Sequence, residues 1–202
     1  MGKFIKKSRE ERIEEILNAA NRVFLEKGYH NTTMEDIINA TTLSKGGFYY
    51  YFQSTKEIFF KILDEKTSTE IEFIENLDDK GKTKKEIIQE ICEKLARGVL
   101  ERYDERTLFI MAMTEVINDP DFRRYSVQME EKYLHIIEKS LIEKLPDTDP
   151  VILGEKLKFL LSVFHALAFY CYMYQEENLY RQNIDDIENI FLQILSSIYI
   201  DE

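Results

Sequence analysis

The chain has 202 residues, 44% hydrophobic and 32% charged, with 3 prolines and 7 glycines; that suits one domain, or a small one joined to a larger, with a sizeable core and little room for a turn-rich β fold. The net charge of −11 argues against nucleic acid until its distribution is read: residues 1–61 carry 10 Lys/Arg against 8 Asp/Glu, the remainder 17 against 30. Only the first segment, with its basic tail Lys3, Lys6, Lys7, Arg9 and Arg12, can lie on a polyphosphate without strong repulsion.

Met1 to Lys7 leads into a charged helix and not into an apolar signal segment, so a cytoplasmic location is expected. The first helix opens on Ser8 and Glu11, a capping box. It carries Ile13, Ile16, Leu17, Ala20, Val23 and Phe24 on one face. Gly28 ends it, at a position that wants a left-handed residue. Thr33 with Asp36 caps a second, short helix through Ile37, Ile38 and Ala40. A tight turn, Thr41 to Leu43, precedes Ser44, the N-cap of a third short helix ending near Phe52. Ser54 and Glu57 then open a long fourth helix running toward Asn76.

A charged loop around Gly81 leads to a fifth helix, capped by Thr83 and Glu86, with Ile87, Ile88, Ile91, Leu95, Val99 and Leu100 on its apolar side. Further helices are expected over about 106–117, 121–145, 150–175 and 184–200, marked by Asp119-Pro120, Pro146 and Asp149-Pro150. The longest apolar stretch, Val163 to Tyr174, is broken by His165 and too short to span a bilayer, so it reads as a buried helix and no membrane partner is expected. Cys92 and Cys171 sit apart in apolar runs, which suits a reducing compartment. The fold class is therefore all-α, with about nine helices.

The segment 29–57 carries the strongest chemical signal. Two short helices joined by a tight turn have the proportions of a helix-turn-helix. Ser44 and Thr33 stand at helix N-termini, where backbone N–H groups and the helix dipole can receive phosphate. Gly46 and Gly47 lie in the first turn of the third helix, where glycine disfavours the helix, so the surface there must approach something closely. Lys45 can reach a phosphate or the acceptors of guanine. Phe48 and Phe52, at i and i+4, point together into a small core. Tyr49, Tyr50 and Tyr51 are about 100° apart around a helix, so at least one faces outward.

In residues 8–61 the chain resembles the TetR family of transcriptional regulators. The resemblance rests on a first helix ending in Gly28-Tyr29, then Thr32-Thr33-Met34-Glu35-Asp36-Ile37, Leu43-Ser44-Lys45-Gly46, Phe48-Tyr49-Tyr50-Tyr51-Phe52 and Lys56-Glu57. Two positions depart from it: Thr42 stands where the family has a turn glycine, and the loop from Phe52 to Lys56 is one residue longer. The resemblance implies a helix-turn-helix DNA-binding domain over 1–53 and a helical ligand-binding and dimerisation domain over 54–202. It implies that Thr33, Ser44, Tyr49, Tyr50, Tyr51 and Lys56 hold phosphates of double-stranded operator DNA. Lys45, Gly46 and Gly47 would then face base edges, with some reliance on DNA shape.

The resemblance also implies a homodimer and a small-molecule effector. Ile187, Phe191, Ile194 and Ile198 repeat at helical spacing and, with Phe169 on the preceding helix, are expected at the dimer interface. Met111, Glu115, Tyr133, Phe164, His165 and Tyr172 are expected to line a ligand pocket; Met113 and Phe122 belong to the same set. Each of these, taken alone, is more often plain core. The acidic C-terminal half leans toward a cationic ligand, although most of its carboxylates read as solvated surface. His135 and Glu138, at i and i+3, lack a third metal ligand. With no phosphate loop, metal-spaced cluster or nucleophile elbow, neither an enzyme nor a cofactor is expected. The competing reading is a helical homodimer that binds a small molecule or a protein without DNA. Activation and repression are indistinguishable in the sequence.

Overall fold

A computed structural model describes residues 7–146, 148–174, 179–196 and 198. The described residues form ten helices: α1 Arg9–Lys27, α2 Met34–Asn39, α3 Lys45–Tyr49, α4 Thr55–Glu75, α5 Lys84–Glu101, α6 Tyr103–Val116, α7 Pro120–Lys144, α8 Pro150–Met173, α9 Leu179–Gln182 and α10 Ile184–Ser196. Two compact units are present, Met1–Lys66 and Thr67–Glu202.

Local capping chemistry sets most helix starts. Ser8 and Glu11, Thr33 and Asp36, and Thr83 and Glu86 each form a reciprocal capping box, which satisfies two orphan N–H groups at once. The carboxylates of Asp119 and Asp149 accept from the N–H groups of Asp121 and Val151, in both cases with proline at the first helical position. Gly28 closes α1 with φ of 78° and donates to the Phe24 carbonyl. A side chain is strained at that angle, so glycine is required there.

The first unit is built around α1. Ile16, Leu17, Ala20 and Phe24 pack inward with Ile37 of α2 and Phe48 of α3. Ile58, Phe59 and Ile62 are buried as well, so the first turns of α4 complete this core. The Phe24 and Phe59 rings meet edge to face at 5.0 Å, and Tyr29 lies 4.9 Å from Phe59.

In the second unit α10 packs along α5, with α7 and α8 closing the core. Leu134, Leu141, Leu153 and Leu157 come from α7 and α8, and Ile87, Ile91, Ala96 and Val99 from α5. The helix expected at about 106 instead begins at Tyr103, one residue after α5 ends. Arg102, with φ of −97° and ψ of 66°, is the whole break. Neither glycine nor proline marks it, so propensity gave no sign of it. No helix among the described residues is long and apolar enough to cross a membrane.

Candidate nucleic-acid interface

The helix-turn-helix is held from below by α1. Glu15 accepts the Thr42 backbone N–H at 2.9 Å and the Thr42 hydroxyl as well. Arg12 donates to Glu15 at 2.8 Å and to the Thr42 hydroxyl at 3.1 Å, and Lys7 pairs with Glu15 at 3.0 Å. These bonds, led by the Thr42 hydroxyl, pull the Glu15 carboxyl down to about 2. The residue that replaces a turn glycine thus brings its own anchor.

On that frame the third helix is short and sharply two-sided. Phe48 is fully buried and Phe52 nearly so, which fixes the rotation of α3. At its start Ser44, Lys45 and Gly46 are exposed to solvent. Ser44 Oγ accepts from the Gly47 N–H at 3.3 Å. A Cβ on Gly47 would meet that oxygen at 3.2 Å, whereas one on Gly46 would meet nothing within 4 Å. Gly47 is therefore small to fit its own cap, and Gly46 leaves the surface flat.

Tyr50 is 76% exposed and is the outward tyrosine that the spacing requires. Tyr51 is half-buried, edge-on to Tyr50 with ring centroids 5.2 Å apart. Tyr49 is half-buried beside Phe48, and its carbonyl accepts from the Gln53 amide. Lys56 is half-buried near the start of α4. Glu57 closes this entrance, taking the Gln53 N–H at 2.8 Å while its own N–H goes to Ser54 at 3.1 Å.

Thr33 is exposed but already committed. Its hydroxyl and its backbone N–H both go to Asp36, at 2.7 and 2.9 Å. Asp36 also pairs with Lys27 at 2.6 Å, and the Lys27 bond leads in pulling its carboxyl well below the usual range. A phosphate at Thr33 therefore faces a carboxylate on the same helix end, unlike one at Ser44, whose α3 has no acid in its first turn. Ser44, Lys45, Gly46 and Tyr50 are each exposed.

Glu115 and Phe122 are buried, and Met111 and Met113 are half-buried. Tyr133 is buried, with its hydroxyl 3.3 Å from that of Ser68. Tyr172 stacks on Tyr103 at 5.9 Å. His165 stacks on Phe109 at 4.2 Å, and burial pushes its pKa down to about 4, so it is neutral near pH 7. Phe164 lines a small open cleft of about 40 Å³ with Phe73, Ile74, Leu95, Gly98, Lys94 and Arg102; the other pocket residues named from the sequence do not. Gly98 inside an otherwise strong helix was the one available sequence signal for that cleft. Among the described residues no group of three His, Cys, Asp or Glu side chains could hold a metal ion, and His135 is exposed.

The apolar stripe of α10 turns inward. Ile187, Phe191, Ile194 and Ile198 are all at most 9% exposed within the single chain, covered largely by α5. They belong to this chain's own core, so little of them is left to meet a partner. Phe169 remains outward, with Phe159, Tyr170 and Met173 on α8 and Ile190 on α10.

Residues 16–62 match the family model for bacterial regulatory proteins of the TetR family. The uncharacterized HTH-type transcriptional regulator YfiR of Bacillus subtilis is 44% identical over 62 residues, 31% of this chain and 30% of that protein. The chain therefore aligns with less than a third of the length of the first curated relatives it matches. Solved structures extend the likeness in fold. A TetR-family regulator from Syntrophomonas wolfei superposes with TM-score 0.74 at 17% identity, over 96% of this chain and 100% of the other. The regulator FadR from Bacillus subtilis, solved with stearoyl-CoA, gives 0.68 at 18%, over 88% and 96%. Residues 16–62 thus carry the N-terminal domain of bacterial regulatory proteins of the TetR family, and the chain has the fold of solved TetR-family structures along its length.

Proposed function

We propose that the protein is a cytoplasmic transcription regulator that binds double-stranded operator DNA as a homodimer and is released by a small ligand held in its C-terminal unit. One observation carries the DNA reading: α3 buries Phe48 while Ser44, Lys45, Gly46 and Tyr50, at and along the same short helix, are exposed. The free N–H groups at the start of α3 and the Tyr50 hydroxyl suit phosphate, and Lys45 suits phosphate or guanine. With Gly46 flat against the groove, few side chains read bases, so sequence preference would come partly from DNA shape.

Dimerisation would use the outward residues Phe159, Phe169, Tyr170 and Met173 of α8 with Ile190 of α10. A two-fold axis there would set two α3 helices about 34–36 Å apart on a palindromic site. Ligand binding would favour a spacing that no longer fits adjacent major grooves, which is repression relieved by population shift. FadR is a regulator solved with a ligand, which supports a sensing role for the larger unit. No catalysis is assigned to it.

The test is selection from a randomised duplex library with the full chain. Recovery of a palindromic sequence, bound by a species of dimer mass, is the expected result. A folded protein that enriches no duplex overturns the reading in favour of a helical binding protein without DNA.

A further inference from the structure

The cleft on the second unit is lined by residues of α4, α5 and α8. Phe73, Ile74, Leu95 and Phe164 form apolar walls, and Gly98 leaves room beside Phe164, whose ring edge lies 3.9 Å from where a Cβ would stand. Among the described residues, the charged side chains that line it are Lys94 and Arg102, both cationic. This reverses the surroundings, because residues 62–202 carry 17 Lys/Arg against 30 Asp/Glu. Lys94 Nζ lies 5.5 Å from the centre of the Phe73 ring, so its charge stands at the apolar wall. One turn past Arg102, Arg106 is buried, donates to the Val99 carbonyl, and leaves its Nε without a partner among the described residues. Two cations, Lys94 and Arg102, thus line a small apolar cleft, while Glu101, Asp104 and Glu105 at the α5–α6 junction are not among its lining residues.

We infer that this cleft binds a compact organic anion, its apolar body against Phe73, Leu95 and Phe164 and its acid group held by Lys94 and Arg102. The charge preference is opposite to the cationic one that overall composition suggests. A role for this anion in controlling DNA rests on the regulator reading; the binding itself does not.

Titration calorimetry on the full chain decides it with three probes of one skeleton: naphthalene-1-acetate, naphthalene-1-acetamide and 1-naphthylmethylammonium. The acid binds at least about tenfold more tightly than the neutral amide, and the ammonium is weakest. Lys94→Ala and Arg102→Ala each bring the acid toward the amide, and Gly98→Leu, filling the space beside Phe164, removes both. An acid that binds no better than its amide, an acid insensitive to both cation variants, or no binding by any probe overturns the inference. Should Gly98→Leu fail to fold, the acid-to-amide ratio of the wild type still decides. Duplex binding measured in parallel separates the two claims. Acid binding without DNA affinity refutes the regulator and keeps the site; DNA affinity without acid binding does the reverse.

Discussion

Glu15 and Thr42, 27 residues apart, are joined by two hydrogen bonds, so the first helix grips the turn of the helix-turn-helix directly. Glu15 is only 14% exposed and gathers Arg12 and Lys7 around the same carboxylate. Removing it leaves Thr42 and two cations without their acceptor.

Glu15→Ala should therefore cost about 1–2 kcal/mol, seen in thermal unfolding of the N-terminal unit. Acid should act in the same way. A carboxyl held at about 2 against an ordinary 4.5 lends stability that is complete above pH 4.5 and is lost as pH falls toward 2. The variant should show a shallower loss over that range. Equal slopes in both proteins would mean that the network contributes nothing.

His165 should give a second, separate pH dependence. Its folded pKa of about 4 lies below the ordinary 6.5, so the unfolded chain takes up the proton first. Stability should then fall as pH drops from 6.5 toward 4, and stay level above 6.5. His165→Phe, which keeps a ring against Phe109, should remove that slope in urea titrations at stepped pH.

The two glycines of α3 should separate stability from binding. Gly46→Ala meets nothing and should stabilise the short helix by up to about 1 kcal/mol. It should also weaken duplex binding, by placing a methyl on the flat surface. Gly47→Ala crowds Ser44 Oγ and should gain less stability, because the cap must shift. A Gly46→Ala protein that binds DNA like wild type would show that close approach is not why glycine stands there.

Phe191 and Phe169 should behave oppositely. Phe191→Ala opens the core of the second unit and should cost about 3–5 kcal/mol. Phe169→Asp changes an outward ring and should leave unfolding intact while halving the mass seen by light scattering. A Phe169→Asp protein still dimeric would place the interface elsewhere.

Much of the fold was legible because it is local. The capping boxes at Ser8, Thr33 and Thr83, the Gly28 stop and the Asp-Pro starts each act within four residues. The same spacing logic set Phe48 inward and one tyrosine outward. For α10, periodicity reports that a helix has an apolar face but not that α5 of the same chain packs on it. The break at Arg102 and the cleft beside Gly98 depend on tertiary placement, which no short window of sequence encodes. Thr42 marked a departure from the family pattern, but its partner Glu15 lies a full helix away.

The most direct test of the central claim is duplex affinity across a salt series for wild type and Lys45→Ala. Wild-type affinity should fall linearly on logarithmic axes as counterions are released, and Lys45→Ala should bind more weakly with a slope reduced by about one. Affinity indifferent to salt, or a variant that follows the wild-type line, would contradict a surface on α3 that presses lysine and tyrosine against DNA.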